Sequence, residues 1–238
     1  MKILLIGALG KMGREVATNT QNYGDEISFG VECQEAVADS CYAKAKYDFE
    51  LVSEKNLSKI DGKNIDAIID FSTSTDRAKY FEFATKYNIA YGLFSTNFTK
   101  NDEKYVKKCS KKIPILVCKN SSLGVNVLYK LAQVASQNLP HSQVVLTEYH
   151  HTQKLDMPSG TAKAIEKILS ENNIDFQTSA FRVGNEKGYH KIEFFLGDEI
   201  LTISHRANSR KIFACGALEA MHKLIRHQNG IFCDVLSL

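Results

Sequence analysis

The sequence has no tryptophan and only three prolines among its 238 residues, and neither scarcity excludes anything by itself. Other absences say more. No apolar run approaches the ~20 residues a membrane-spanning helix needs, so no membrane span is expected. The opening Met-Lys leads into a short apolar run that ends at Gly7, too short for the apolar core of a signal peptide, and no A-x-A-like cleavage site follows it. A cytoplasmic protein is therefore expected. The six cysteines (Cys33, Cys41, Cys109, Cys118, Cys215 and Cys233) are scattered without a C-x-x-C pair, which removes zinc-ribbon and redox-motif readings. Several lie in apolar runs and read as buried free thiols. Charge of one sign is scarce too, with a formal net charge of +3. The basic pairs Lys107-Lys108 and Lys111-Lys112 read as the solvated face of a helix, so no nucleic-acid partner is expected. Internal repeats and low-complexity stretches are also lacking.

What is present is an ordinary globular composition, 44% hydrophobic and 24% charged, on a chain long enough for one or two domains with a sizeable core. The apolar run Lys2–Ile6 reads as a buried parallel strand. It leads into Gly7-Ala-Leu-Gly-Lys-Met-Gly13 and a helical stretch to about Asn22. Strand, glycine turn and helix form the context of a dinucleotide fingerprint, although Leu9 stands where the commoner pattern has its second glycine. Gly7 permits the tight turn, Gly10 lets backbone approach a pyrophosphate, and Gly13 lets the helix pack on the strand. A second strand, Ile27–Val31, ends at Glu32, an acid placed to accept hydrogen bonds from the adenine-ribose diol. A glycine turn without a ligand is the plain alternative.

Beyond this, strands are expected at Tyr47–Val52, Ile65–Phe71, Ile89–Phe94 and Ile113–Cys118. They alternate with helices at Glu54–Ile60, Asp76–Tyr87 and Asn101–Lys112, and Ser/Thr residues after Asp70 can cap the second of these. Such alternation makes a parallel sheet flanked by helices, with ligands at the carboxyl ends of its strands. The pattern changes after Asn120-Ser-Ser-Leu-Gly-Val125. A helix over about Asn126–Gln137 precedes a strand at Gln143–Tyr149. After a further helix ending near Glu171 come three strand-like runs, Phe176–Val183, Tyr189–Leu196 and Glu199–Arg206. The last two are joined by the hairpin signal Gly197-Asp198. Consecutive strands imply an antiparallel or mixed sheet in a second domain. A helix over Ser209–His227 and a short apolar tail, Gly230–Leu238, close the chain.

The chemistry concentrates in Glu148-Tyr-His-His-Thr-Gln-Lys-Leu-Asp-Met-Pro-Ser-Gly-Thr-Ala162. Two histidines and a lysine precede Ser159-Gly160-Thr161, which opens the helix bearing Ala162, Ile165, Ile168 and Leu169. Histidine titrates near neutral pH, the neighbouring Lys154 can hold an anion or donate a proton, and the unpaired N–H groups of a helix start attract carboxylates. No metal is expected, because the adjacent His150 and His151 point to opposite faces of a strand and His190 and His205 lack zinc spacing. A polar loop whose Ser159 or Thr161 merely caps a helix remains the alternative. Arg182, Arg206 and Arg210 can bind carboxylates bidentately or form surface ion pairs. Asp156 either orients Lys154 or is a turn residue.

Taken together, Gly7–Gly13, Asp70-Phe-Ser-Thr73, Asn120-Ser-Ser-Leu-Gly-Val-Asn126, the Glu148–Ala162 segment and Ile203-Ser-His-Arg-Ala-Asn-Ser-Arg210 resemble the 4-hydroxy-tetrahydrodipicolinate reductase (dihydrodipicolinate reductase) family along essentially the whole chain. The resemblance implies a Rossmann-type α/β domain over residues 1–121, completed by 211–238, and a smaller α+β substrate and oligomerisation domain with a mixed sheet over 122–210. It implies NAD(P)H-dependent reduction of a cyclic dicarboxylate, 4-hydroxy-tetrahydrodipicolinate, in diaminopimelate and lysine biosynthesis, by a homotetramer assembled through that mixed sheet. His150 would be the general acid/base and Lys154 a second proton donor. His151, Ser159, Gly160 and Thr161 would bind substrate carboxylates. Gly7, Ala8, Leu9, Gly10, Lys11 and Met12 would hold the pyrophosphate of NADH or NADPH, and Glu32 its ribose. Gly92, Leu93 and Phe94 would line the nicotinamide side with Cys118, Lys119, Asn120 and Ser121. Two departures stand out: Gly92-Leu-Phe-Ser95 replaces the family's Gly-Thr-Thr-Gly, exchanging hydroxyls for apolar groups, and Asn120-Ser121-Ser122 replaces Asn-Phe-Ser. Glu32 followed by Cys33 rather than Arg favours acceptance of NADH. Competing readings are a reductase or desulfurase of another ring on the same scaffold, and a non-catalytic dinucleotide sensor.

Overall fold

The computed structural model describes residues 1–39 and 48–238. Cys41 and the first residue of the strand expected at Tyr47–Val52 lie outside the described residues. The chain divides into two compact units, Met1–Ser121 with Phe213–Leu238, and Ser122–Ile212.

The first unit is a seven-stranded sheet in the order β11-β6-β5-β4-β1-β2-β3. Its strands are β1 (Lys2–Ile6), β2 (Glu26–Glu32), β3 (Glu50–Ser53), β4 (Ala67–Asp70), β5 (Ala90–Leu93), β6 (Pro114–Val117) and β11 (Gly230–Phe232), and every pairing among them is parallel. The central strands are apolar without alternation because both faces are covered; all four residues of β4 are buried. One face carries a cluster containing Ile3, Leu5, Ile69 and Leu116 with Leu218 and Met221 of α7 (Lys211–Leu224). The other carries Leu4, Ile6, Ile68 and Ile115 with Phe81 of α3 (Ala78–Tyr87) and Val106 of α4 (Lys100–Cys109). Three residues of the short apolar tail add β11 beside β6, a strand that the sequence alone does not place there. So short an edge strand has no local signature and exists through its partner.

The second unit holds α5 (Leu123–Asn138), α6 (Gly160–Glu171) and a four-stranded sheet ordered β10-β9-β7-β8. Here β7 (Gln143–His150) runs parallel to β8 (Asp175–Arg182) and antiparallel to β9 (Tyr189–Leu196), which pairs antiparallel with β10 (Glu199–Arg206). The sheet is thus mixed. Leu146 of β7, Ile192 and Phe194 of β9, Leu128 and Ala132 of α5, and Ile165 and Leu169 of α6 form its core.

Candidate active site

In the first unit the chain runs from β1 outward to β3, then returns to start β4 on the other side of β1. The carboxyl ends of β1 and β4 therefore form a topological switch point, where α/β sheets take ligands. Gly7 follows β1 there with φ +79°, and a Cβ on it would stand 3.0 Å from the Ser72 nitrogen, so the glycine turn and the segment after β4 meet backbone to backbone. Gly13 sits in the first turns of α1 (Lys11–Asn19). A Cβ there would lie 2.1 Å from the Gly7 oxygen, so only glycine lets α1 approach the turn. Gly10 caps α1 with no side-chain hydrogen bond and no acid stands in the first helical turn, which leaves N–H groups and an unopposed dipole for an anion. Glu32 ends β2 and accepts a hydrogen bond from the Leu9 N–H at 2.7 Å, which holds its carboxylate against the turn. A backbone cradle, a bare helix start and a fixed carboxylate suit a dinucleotide's pyrophosphate and ribose. Ala8 is fully buried and offers backbone only, while Lys11 is exposed and Met12 half-buried.

At the ends of β5 and β6 stand the residues expected on the nicotinamide side. The Leu93 side chain is wholly buried in the core cluster, so it presents only backbone to a ligand. Phe94 turns to the opposite face and stacks on Phe71 at 5.2 Å. Gly92 is needed for packing, since a Cβ would press to 2.4 Å from the Met221 sulfur and 2.6 Å from the Phe94 ring. The apolar residues that replace hydroxyls thus fill the core. Cys118 is buried, its thiol donates to the Asn120 carbonyl at 3.0 Å, and burial pushes that thiol up to about 11, so it stays protonated. Lys119 is exposed, and the Ser121 hydroxyl donates to the Phe213 carbonyl at 2.7 Å.

In the second unit strand geometry assembles the polar cluster. Glu148 and His150 are two apart on β7 and share a face. The register puts His190 of β9 opposite Glu148, and Arg182 of β8 opposite His150. Glu148 is fully buried. Its Oε1 accepts from the Ser159 N–H at 2.9 Å and from two N–H groups of Arg182 at 3.2 Å each. Its Oε2 lies 3.5 Å from His150 Nδ1 and 3.4 Å from His190 Nε2. Burial alone would raise the Glu148 carboxyl, but the His190 ring, the Ser159 contacts and the His150 ring outweigh it and bring it down to about 2. His150 moves the other way from the sequence expectation of titration near neutrality. Burial, with lesser contributions from His190, Lys154 and Arg182, overcomes the Glu148 charge and lowers it to about 4, so the ring is neutral at neutral pH.

Lys154 Nζ lies 2.7 Å from Asp156 Oδ1, which gives Asp156 the orienting role. Ser159 is held within the cluster. Its hydroxyl is buried, accepts from the Ala162 N–H at 3.2 Å and lies 3.2 Å from His190 Nε2, so it caps α6. The exposed Gly160 and half-buried Thr161 remain at the helix start, and half-buried His151 follows β7. Arg182 is committed to Glu148 and to the carbonyls of Lys154, Asp156 and Phe181, whereas Arg206 pairs with Glu186. Glu148, His150 and His190 bring three metal-capable donor atoms within 4.8 Å of one another. The guanidinium already on the same carboxylate opposes adding a cation there. Spacing alone did not single out His190 or give Glu148 a role, because their meeting depends on the β7–β9 register.

A seven-stranded parallel sheet with a glycine cradle at its switch point, followed by a unit with a mixed sheet and a buried acid–imidazole cluster, defines the class of two-unit α/β proteins with a Rossmann-type first unit. Residues 1–121 match the family described as dihydrodipicolinate reductase, N-terminus, and residues 124–236 that described as dihydrodipicolinate reductase, C-terminus. The 4-hydroxy-tetrahydrodipicolinate reductase of Rickettsia bellii is 33% identical over 98% of this chain and 92% of its own. The reductase of the same name from Archaeoglobus fulgidus is 31% identical over 92% of each chain. The fold is shared with the dipicolinate-bound dihydrodipicolinate reductase from Paenisporosarcina sp. TG-14, at a TM-score of 0.80 and 18% identity over 100% of this chain and 99% of that one. The chain belongs to the dihydrodipicolinate reductase family.

Proposed function

We propose that this protein reduces 4-hydroxy-tetrahydrodipicolinate to tetrahydrodipicolinate with a nicotinamide dinucleotide, a step of diaminopimelate and lysine biosynthesis. The observation that carries the reading is the cluster at the end of β7, where a buried imidazole and a lysine stand at the approach to the α6 start with its exposed Gly160. Gly7 to Met12 hold the pyrophosphate by backbone and helix dipole, and Glu32 holds the ribose. When bound, the cofactor supplies the hydride. His151, Gly160 and Thr161 bind the substrate carboxylates, fixing the ring against the proton donors.

Lys154, steadied by Asp156, and His150 supply the proton. Because His150 rests neutral, Lys154 is the donor in the resting site. The arriving dicarboxylate brings negative charge toward the His150 ring and raises its proton affinity. With Glu32 closing the ribose pocket and Cys33 following it, NADH is accepted well, since a carboxylate repels a 2′-phosphate unless a cation intervenes. The working form is a homotetramer assembled through the mixed sheet.

The test is oxidation of NADH by the protein, with substrate generated in situ from aspartate semialdehyde and pyruvate by a synthase. Wild type should turn over, Lys154→Ala should lose about 10²–10⁴-fold in kcat, and NADH affinity should be the same in both. Tight NADH binding without oxidation would redirect the assignment to another ring on this scaffold. A kcat/KM that strongly favours NADPH would overturn the cofactor assignment alone.

A further inference from the structure

Glu148 touches no surface a substrate could reach, yet it is the acid around which the cluster is arranged. We propose that Glu148 is a positioning residue that holds His150 as its Nδ1–H tautomer and leaves Nε2 as the atom that takes up and passes on the proton. The inference rests on the functional reading above and deepens it.

Two sets of observations carry it. The first concerns Nδ1. It is buried and has no hydrogen-bond partner, and Glu148 Oε2, also without one, stands 3.5 Å away. Such bonds are often long in ligand-free enzymes and shorten in the substrate complex. The carboxylate cannot swing away, because Oε1 is fixed by the Ser159 N–H and two N–H groups of Arg182. The charged and titratable groups facing the ring are Glu148, His190, Lys154 and Arg182, of which only Glu148 is an acid. A carboxylate facing one ring nitrogen favours the tautomer with its proton there, and so assigns the lone pair to the other.

The second set concerns Nε2. It faces Gly188, whose φ of +150° lies in the region that favours glycine, and a Cβ on that residue would stand 3.1 Å from Nε2. No side chain at position 188 covers the nitrogen. The His190 ring meets the imidazole edge-on, with centroids 5.1 Å apart at 71°, and steadies the ring plane. Because the same carboxylate holds the Ser159 N–H, it fixes the imidazole relative to the α6 start that binds the substrate. Nε2 first takes a proton from solvent, giving the imidazolium; in the transfer that Nε2–H bond breaks, the proton joins the substrate atom that gains the electron pair as hydride adds, and the ring returns to its neutral Nδ1–H form.

The deciding measurement is nitrogen-15 NMR of the histidine side chains in the full-length wild type at neutral pH, with His150 assigned by its disappearance in His150→Asn. An Nδ1–H signal for His150 is expected, and an Nε2–H signal would overturn the proposal. This readout needs no substrate, so it stands or fails apart from the activity. Kinetics supply the second arm. Glu148→Gln keeps an acceptor for Ser159 and loses the charge, so kcat should fall about 100-fold, within the range of a positioned acid–base group. The carboxylate raises the proton affinity of His150, so its loss should also move the decline of kcat with rising pH to lower pH. A fall in kcat with an unmoved pH profile would mean that Glu148 only supports the fold, and would sink the idea. Gly188→Ala should lower kcat at least tenfold with NADH affinity unchanged; full activity in that variant would show that Nε2 is not the working atom.

Discussion

A histidine on a strand end is an ordinary feature until its surroundings are known. His150 is brought down to about 4 chiefly by burial, and Glu148 to about 2 by its partners against burial. Both carry a stability consequence of the same sign. For His150 the folded state binds fewer protons than the unfolded chain between about pH 6.5 and 4, so stability falls as pH drops through that window. Glu148 continues the loss from about 4.5 toward 2, and His205, lowered by burial and by His190, adds to the upper part. Thermal unfolding followed by circular dichroism should therefore show the midpoint falling already below about pH 6.5. In His150→Asn this upper limb should flatten while the loss below about 4.5 remains. An unchanged slope in the variant would mean that His150 is not held neutral by the fold.

At the scale of elements, the loops at the carboxyl edge of the parallel sheet are tied by one arginine. Arg77 is fully buried ahead of α3. Its guanidinium contacts Asp70 at 3.2 Å and Asp102 at 3.0 Å, and donates to the carbonyls of Ser72 at 2.9 Å and Asn97 at 2.8 Å. Asp70 also accepts from the Tyr91 hydroxyl at 2.6 Å, and Asp102 forms a capping box with Thr99 at the start of α4. The segments after β4 and β5 are thus fixed from inside by one cation between two acids. Arg77→Met would leave both carboxylates buried without it, and urea unfolding should register a loss of about 3–5 kcal/mol. A loss below about 1 kcal/mol would mean that neighbouring donors suffice. The sequence shows the Asp70-Phe-Ser-Thr73 motif but gives no sign that Arg77 and Asp102, 25 residues apart, belong with it.

For the whole molecule the informative surface is the mixed sheet. Phe181 and Phe195 are 46% and 38% exposed, Ile200 and Leu201 are 55% and 41% exposed, and Tyr149 stacks on Phe181 at 4.9 Å. Apolar and aromatic groups gathered on one small sheet suit self-association. Light scattering coupled to gel filtration should give four times the 26.7 kDa of one chain. Phe195→Lys should lower that mass; a wild-type mass of one chain would overturn the tetramer. Elsewhere, among the described residues, no helix is long and apolar enough to cross a membrane.

The sequence by itself determined the parts governed by local chemistry. Apolar runs punctuated by glycine placed the parallel strands, the hairpin signal at Gly197-Asp198 placed β9 and β10, and Ser159 marked the start of α6 because a cap needs only its own helix. The density of motif residues between Glu148 and Ala162 marked the candidate site for the same reason. Tertiary structure alone decided what depends on distant partners. Strand register set His190 against Glu148, burial made His150 neutral, packing turned Leu93 and Phe94 into core, and pairing with β6 made Gly230–Phe232 a strand. Register, desolvation and close packing are sums over residues far apart in the chain, so no stretch of sequence records them.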